Sequence, residues 1–209
     1  VFIKAVQQVA RARSKVQSQN YLQDIHLELE NHLLSLRATN LEIFCEKSIP
    51  VKGFTNGSCL LQGETLLRIL STFQSNDIVL SCEVYDGVFS ITTEKGVIEI
   101  KTTAYEDFPT LPKQGVVLGT LSKEIITSLL RDVSFCSATT EIKPEISSVY
   151  IYTKDSFIYS VATDSYRLAE KKIPNETSIE CSLLIPQKHI GEILQIINEE
   201  TQELVLSVN

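Results

Sequence analysis

Most of this chain is written twice, and that constrains its fold more than any other feature. Ala38-Thr39 recurs as Ala162-Thr163, an offset of 124 residues (163 − 39). At the same offset Glu46-Lys47 meets Glu170-Lys171, Ile49-Pro50 meets Ile173-Pro174, and Ile69-Leu70 meets Ile193-Leu194. Ser58 and Leu60 likewise meet Ser182 and Leu184. The stretch IHLELENHLLSLRAT (25–39) overlies VYIYTKDSFIYSVAT (149–163) without a gap, and after a two-residue slip IVLS (78–81) meets LVLS (204–207). A series of matches in one register marks a duplicated structural unit. The length of 209 residues accommodates two units of about 100 residues each.

Each copy opens with a pattern of helical period. Apolar residues fall at Ile3, Val6, Val9 and Ala10 in a helix expected over 2–13, and at Ile126, Leu129, Leu130 and Val133 in one expected over 122–135. Two β-rich runs follow, with Glu30-Asn31 and Lys154-Asp155 as expected turn residues. A third run ends at Pro50 or Pro174, where proline suits a strand's end. A short strand, a second helix (66–73 or 190–197) and another strand complete the shared part. The first copy continues through 84–112, where Asp86-Gly87 and Lys95-Gly96 are hairpin signals. The expected fold is therefore α+β: duplicated domains, each with two helices packed on antiparallel sheet. Their expected extents are 1–113 and 120–209, the second read as truncated by its last hairpin.

Composition narrows the chemistry. The five cysteines are scattered, with no CxxC pair, which reads as free thiols in a reducing cytoplasm. No apolar run approaches the roughly 20 residues that cross a bilayer, and the amphipathic N-terminal stretch lacks the form of a secretory leader. The chain starts with Val and contains no Met, so it reads as a piece of a longer polypeptide. A formal charge of −7 argues against a surface wholly devoted to nucleic acid. GxSxG, HExxH, P-loop and GxGxxG patterns are all missing, and the three histidines (His26, His32, His189) are far apart from the one polar cluster, VATDSYRLA (161–169). Glu28/Glu30 and Glu199-Glu200 read as solvated pairs, so no metal, cofactor or catalytic group is expected.

Five strings carry a resemblance. ATNLEI (38–43), YEDFPTLP (105–112), IKPEISSV (142–149), VATDSYRLA (161–169) and LIPQKHIGEIL (184–194) together resemble the bacterial DNA polymerase III β subunit, the sliding clamp. The resemblance implies a fold repeated three times per subunit, two subunits joining head to tail in a ring around duplex DNA. Its first domain and most of its second are expected here. Since the family closes its ring through the third domain, this chain is not expected to close one by that route. Helices line the family's inner wall, which points to Arg11, Lys15, Lys123, Arg131 and Lys188 as DNA-facing, with Lys4, Arg13 and Arg68 as weaker candidates. Lys4, Gln8, Arg11 and Lys15 recur at the spacing of one polar stripe, although an ordinary solvated helix face has the same pattern.

For VATDSYRLA the resemblance implies one wall of a groove for short linear peptides of polymerase, clamp loader and repair proteins. The residues carried over are Ile146, Thr163, Ser165, Tyr166, Arg167 and Leu168. The familiar clamp version has Gly and His where Ser165 and Tyr166 stand. The first copy has TNLEIFC (39–45) in place of TDSYRLA, so Ala-Thr reads as scaffold and Ser-Tyr-Arg-Leu as specific to the second copy. Asp164 reads as a turn residue. An alternative reading is a clamp-derived adaptor that binds partner peptides without forming a ring.

Overall fold

The computed structural model describes all residues except 15–19, 54, 74–80, 95, 104–107, 111–114, 141–142, 198–202 and 209. The chain divides into two compact units, Val1–Leu111 and Pro112–Asn209.

The first unit begins with α1 (Phe2–Val9), which tightens into a 3-10 turn over Ala10–Ala12. Four strands follow: β1 (Asp24–Glu30), β2 (Leu33–Thr39), β3 (Phe44–Pro50) and β4 (Gly57–Gln62), antiparallel in the order β3-β2-β1-β4. Next come α2 (Gly63–Ser71) and a separate meander of β5 (Ser81–Tyr85), β6 (Val88–Thr93) and β7 (Gly96–Lys101). The core gathers Val6 and Val9 of α1, Ile25 and Leu27 of β1, Leu36 and Ala38 of β2, Leu66 and Leu70 of α2, and Ile91 of β6. Each buried Leu or Ile contributes about 1.5–3 kcal/mol.

The second unit repeats this plan. It comprises β8 (Val116–Ser122), α3 (Lys123–Ser134), β9 (Ser148–Lys154), β10 (Phe157–Thr163), β11 (Leu168–Pro174), β12 (Ser182–Pro186), α4 (Gln187–Ile197) and β13 (Glu203–Val208). Its main sheet runs β11-β10-β9-β12, and β13 pairs with β8. Ser122 caps α3, its hydroxyl accepting from the Ile125 amide at 3.3 Å. Leu129, Leu130 and Val133 bury one face of α3 against Val149, Ile151 and Ile158 of the sheet. The hydroxyl of buried Ser160 donates to the Leu129 carbonyl, pinning β10 to that helix.

The duplication is exact in position: adding 124 to the bounds of β1, β2 and β3 gives those of β9, β10 and β11. Several local expectations shift. The hairpin turns fall one residue later than expected, on Asn31-His32 and Asp155-Ser156, all four with positive φ, because a two-residue turn of this hand needs both central residues left-handed. The third run enters its sheet only at Phe44 and Leu168, because the residues before them form a turn. Both second helices start about three residues early, at Gly63 and Gln187. Gln8 is buried, so the expected polar stripe on α1 is broken there. Asp86-Gly87 is a turn with φ of 49° and 74°, whereas Lys95 lies outside the described residues. Among the described residues no helix is long and apolar enough to cross a membrane.

Candidate functional site

VATDSYRLA is the end of β10, a tight turn and the start of β11. Thr163 Oγ1 donates to the Arg167 carbonyl at 2.7 Å and accepts from the Ser165 amide at 3.1 Å. Asp164 Oδ1 accepts from the amides of Tyr166 and Arg167, both at 3.0 Å, and Oδ2 accepts from Arg167 Nε at 2.9 Å. The amides of Arg167 and Tyr166, then the guanidinium, hold the Asp164 carboxyl below the usual aspartate range. Asp164 is thus the turn residue the sequence suggests. Asp164, Ser165 and Tyr166 lie in the turn itself, outside both strands.

The first unit makes the same turn. Thr39 Oγ1 donates to the Ile43 carbonyl at 2.7 Å and accepts from the Leu41 amide at 2.9 Å, and Asn40 Oδ1 accepts from the amides of Glu42 and Ile43. Leu41 has φ of 73° and its counterpart Ser165 has φ of 78°. The scaffold share of VATDSYRLA therefore extends past Ala162-Thr163 to Asp164 and to the backbone of Ser165. Thr163 spends its hydroxyl inside the turn. What differs between copies is the side chains the turn displays. Tyr166 is 97% exposed and Leu168 65% exposed, with Arg167 beside them. Ile146 is half-buried in a turn whose carbonyl accepts from the Ala138 amide at 2.8 Å.

Sequence reasoning missed an aromatic ladder on the same sheet. Tyr150, Tyr152 and Tyr159 stack with centroids 5.0 Å apart at each step, Phe157 meets Tyr159 edge-on, and Lys172 Nζ lies 3.9 Å over the Phe157 ring. The signal was present: Tyr150/Tyr152 and Phe157/Tyr159 each alternate by two, which puts them on one face of paired strands. The corresponding places in the first unit hold His26, Glu28, Leu33 and Ser35. There Arg37 Nη1 bonds Glu28 at 2.6 Å and Arg37 Nε bonds Glu46 at 3.1 Å.

The basic candidates sit on several elements. Lys123 opens α3 and exposed Arg131 lies two turns on, both lining a shallow depression of ≈ 350 Å³ with Glu124, Thr127, Ser128 and Asp132. Asp132 is engaged by Lys171 Nζ and by the Ser128 hydroxyl, each at 2.9 Å, and those bonds lower its pKa. Lys188 is exposed at the start of α4. Arg11 is half-buried in the 3-10 turn after α1, and Lys15 lies outside the described residues. Lys4 and Arg68 are exposed on α1 and α2, and Arg13 packs near Gly63. Among the described residues no group of His, Cys, Asp or Glu is placed to hold a metal. Cys45, Cys59, Cys136 and Cys181 are free thiols, and burial pushes Cys45 up to about 11, far from a reactive thiolate.

Two copies of one helix-backed antiparallel unit, the second displaying Tyr166, Arg167 and Leu168 at its turn, define a duplicated α+β clamp-type scaffold. Residues 1–112 match the family described as DNA polymerase III beta subunit, N-terminal domain, and residues 120–209 match the central domain of that subunit. The chain belongs to the DNA polymerase III beta subunit family. Among curated relatives, the beta sliding clamps of Buchnera aphidicola subsp. Rhopalosiphum padi and Halalkalibacterium halodurans are 25% and 26% identical over 98% and 100% of this chain. The chain spans 56% and 59% of their lengths. The crystal structure of the Pseudomonas aeruginosa DNA polymerase III subunit beta superposes with a TM-score of 0.91 at 20% identity, covering 99% of this chain and 57% of that one. A second structure of that clamp, bound to griselimycin, superposes with a TM-score of 0.88 at 22% identity, covering 98% of this chain and 57% of the other.

Proposed function

We propose that this chain supplies the first two domains, about 1–113 and 120–209, of a DNA sliding clamp. Such a clamp is a processivity factor that encircles duplex DNA and tethers the replicative polymerase, clamp loader and repair proteins. It has no catalytic chemistry of its own and works in the cytoplasm. In the full-length protein the ring is a homodimer. The observation that carries the peptide-binding part is the contrast between two identical turns. Both fix their backbone through a Thr and an Asn or Asp, yet only the second displays Tyr166, Arg167 and Leu168.

In this reading Leu168 and Ile146 form an apolar floor, Tyr166 a wall with a polar tip, and Arg167 a donor to peptide carbonyls or a carboxylate. Ser165 and Thr163 shape the backbone between them. One buried Leu or Phe anchor contributes on the order of 1.5–3 kcal/mol, which suits partners that take turns. Arg11, Lys15, Lys123, Arg131 and Lys188 face the DNA. Glu124 and Asp132 beside Lys123 and Arg131 keep that contact weak, so the ring slides.

Calorimetric titration with a short Gln/Leu/Phe-type peptide tests the groove. Arg167→Ala and Leu168→Ala are expected to weaken binding by about tenfold or more, the loss of roughly 1.4 kcal/mol, with thermal unfolding unchanged. Binding that survives both substitutions discards the groove.

A further inference from the structure

The two units differ in what lies on the sheet face opposite the helices. In the first, Phe108 is seated there: its ring centroid is 5.2 Å from that of His26, and it meets Phe44 edge-on at 6.4 Å. The chain reaches this place after Thr103, whose amide donates to the Leu60 carbonyl at 2.9 Å and whose side chain bonds Asp24. His26 is 1% exposed, and Leu60, its cross-strand partner, 0%. Their counterparts in the second unit, Tyr150 and Leu184, are 37% and 50% exposed, and Leu168, the counterpart of Phe44, is open as well. The same framework is thus filled in one unit and open in the other.

We propose that the first unit contains a second peptide-binding site, closed in cis, in which the surface formed by His26 and Phe44 takes the aromatic side chain of a linear peptide and Phe108 is the resident occupant. Three features support this. Phe108 is half-buried and lies outside any strand or helix, so it rests on the sheet rather than inside the helix-sheet core. The surface under it is mixed, with an imidazole and a phenyl ring, which suits an aromatic anchor more than an aliphatic one. Pro109 follows directly and restrains the backbone of Phe108, so little freedom is lost on seating the ring. This site goes beyond the groove at Leu168, and it stands or falls without it.

A tethered occupant competes at an effective concentration on the order of millimolar, so the wild-type site excludes a free peptide of ordinary affinity. The probe is acetyl-Phe-Pro-Thr-amide, the sequence of residues 108–110, titrated into the whole chain and followed by NMR. The His26 ring and Phe44 report on the first unit, and the Leu168 methyls on the second. In Phe108→Ala the probe is expected to shift His26 and Phe44 at concentrations about tenfold or more below those needed with the wild type, and acetyl-Ala-Pro-Thr-amide to shift neither. Phe108→Leu, which keeps an apolar filling, is expected to fall between the two. If Phe108→Ala remains folded and the probe leaves His26 and Phe44 unmoved, the proposal is wrong. It is equally wrong if Phe108→Ala unfolds the first unit and Phe108→Leu binds no better than wild type. Shifts confined to Leu168 also overturn it, while leaving the groove of the second unit standing.

Discussion

Ser165 holds a φ of 78° and Leu41 one of 73°, a region where a side chain crowds the following carbonyl at a cost of about 1–2 kcal/mol. Both residues are kept there by four hydrogen bonds per turn, one donated by the Thr hydroxyl to a backbone carbonyl and three donated by backbone amides to that hydroxyl or to the Asn or Asp Oδ1. Glycine adopts this conformation without crowding but gives up more freedom on folding, so the gain is partial. Ser165→Gly is expected to stabilise the second unit, and Leu41→Gly the first, by up to about 1 kcal/mol. Urea unfolding followed by resonances of each unit checks both. This conformation was not legible in the sequence. Neither serine nor leucine signals positive φ, and the pairing of Thr39-Asn40 with Thr163-Asp164 shows its meaning only when the turn is seen.

At the scale of elements, the match of β1–β3 with β9–β11 followed directly from the repeat, because period-two patterns fix strand register. Helix ends and turns were less legible. Gly63 and Gln187 give no start signal, and α1 stops being α-helical at Val9 although its apolar pattern runs on through Ala10. Another local feature escaped sequence reading altogether: Gly119 in β8. Its φ is 155°, it pairs with Leu206 where the β8–β13 register shifts, and a Cβ there would lie 2.4 Å from Ile179 Cγ1. Ile179 is fully buried and its loop is held by Asn175, so it has little room to retreat. Gly119→Ala is expected to destabilise the second unit by about 1–3 kcal/mol, measured as a lowered urea midpoint for resonances of α3.

For the whole molecule, duplication has placed a buried imidazole, His26, in one sheet and a tyrosine, Tyr150, at the same position of the other. Burial holds the His26 imidazole below its ordinary pKa; Glu28 and Glu46 pull it up and Arg37 pushes it down, without overcoming burial. The unfolded chain gains that proton near pH 6.5 and the folded one only at lower pH. Stability of the first unit is therefore expected to fall as pH drops below about 6.5. Asp24 acts with the opposite sign, since burial raises its carboxyl and acid favours its folded form, but it does so nearer the aspartate range. Hydrogen exchange of Leu27 and Leu36 amides between pH 7.5 and 5.5 should show the loss, and His26→Leu should flatten it. The second unit carries Tyr150 at that place, so this particular source of the fall is missing there. The shared turn has a consequence for how such a chain can be rebuilt. Because Thr39-Asn40 and Thr163-Asp164 fix the same loop, the residues after them form a cassette: Ser-Tyr-Arg is expected to transplant onto positions 41–43 without redesigning the backbone, leaving Phe44 against Phe108. A duplicated fold with a self-sufficient loop lets one copy change its vocabulary while the other keeps the grammar.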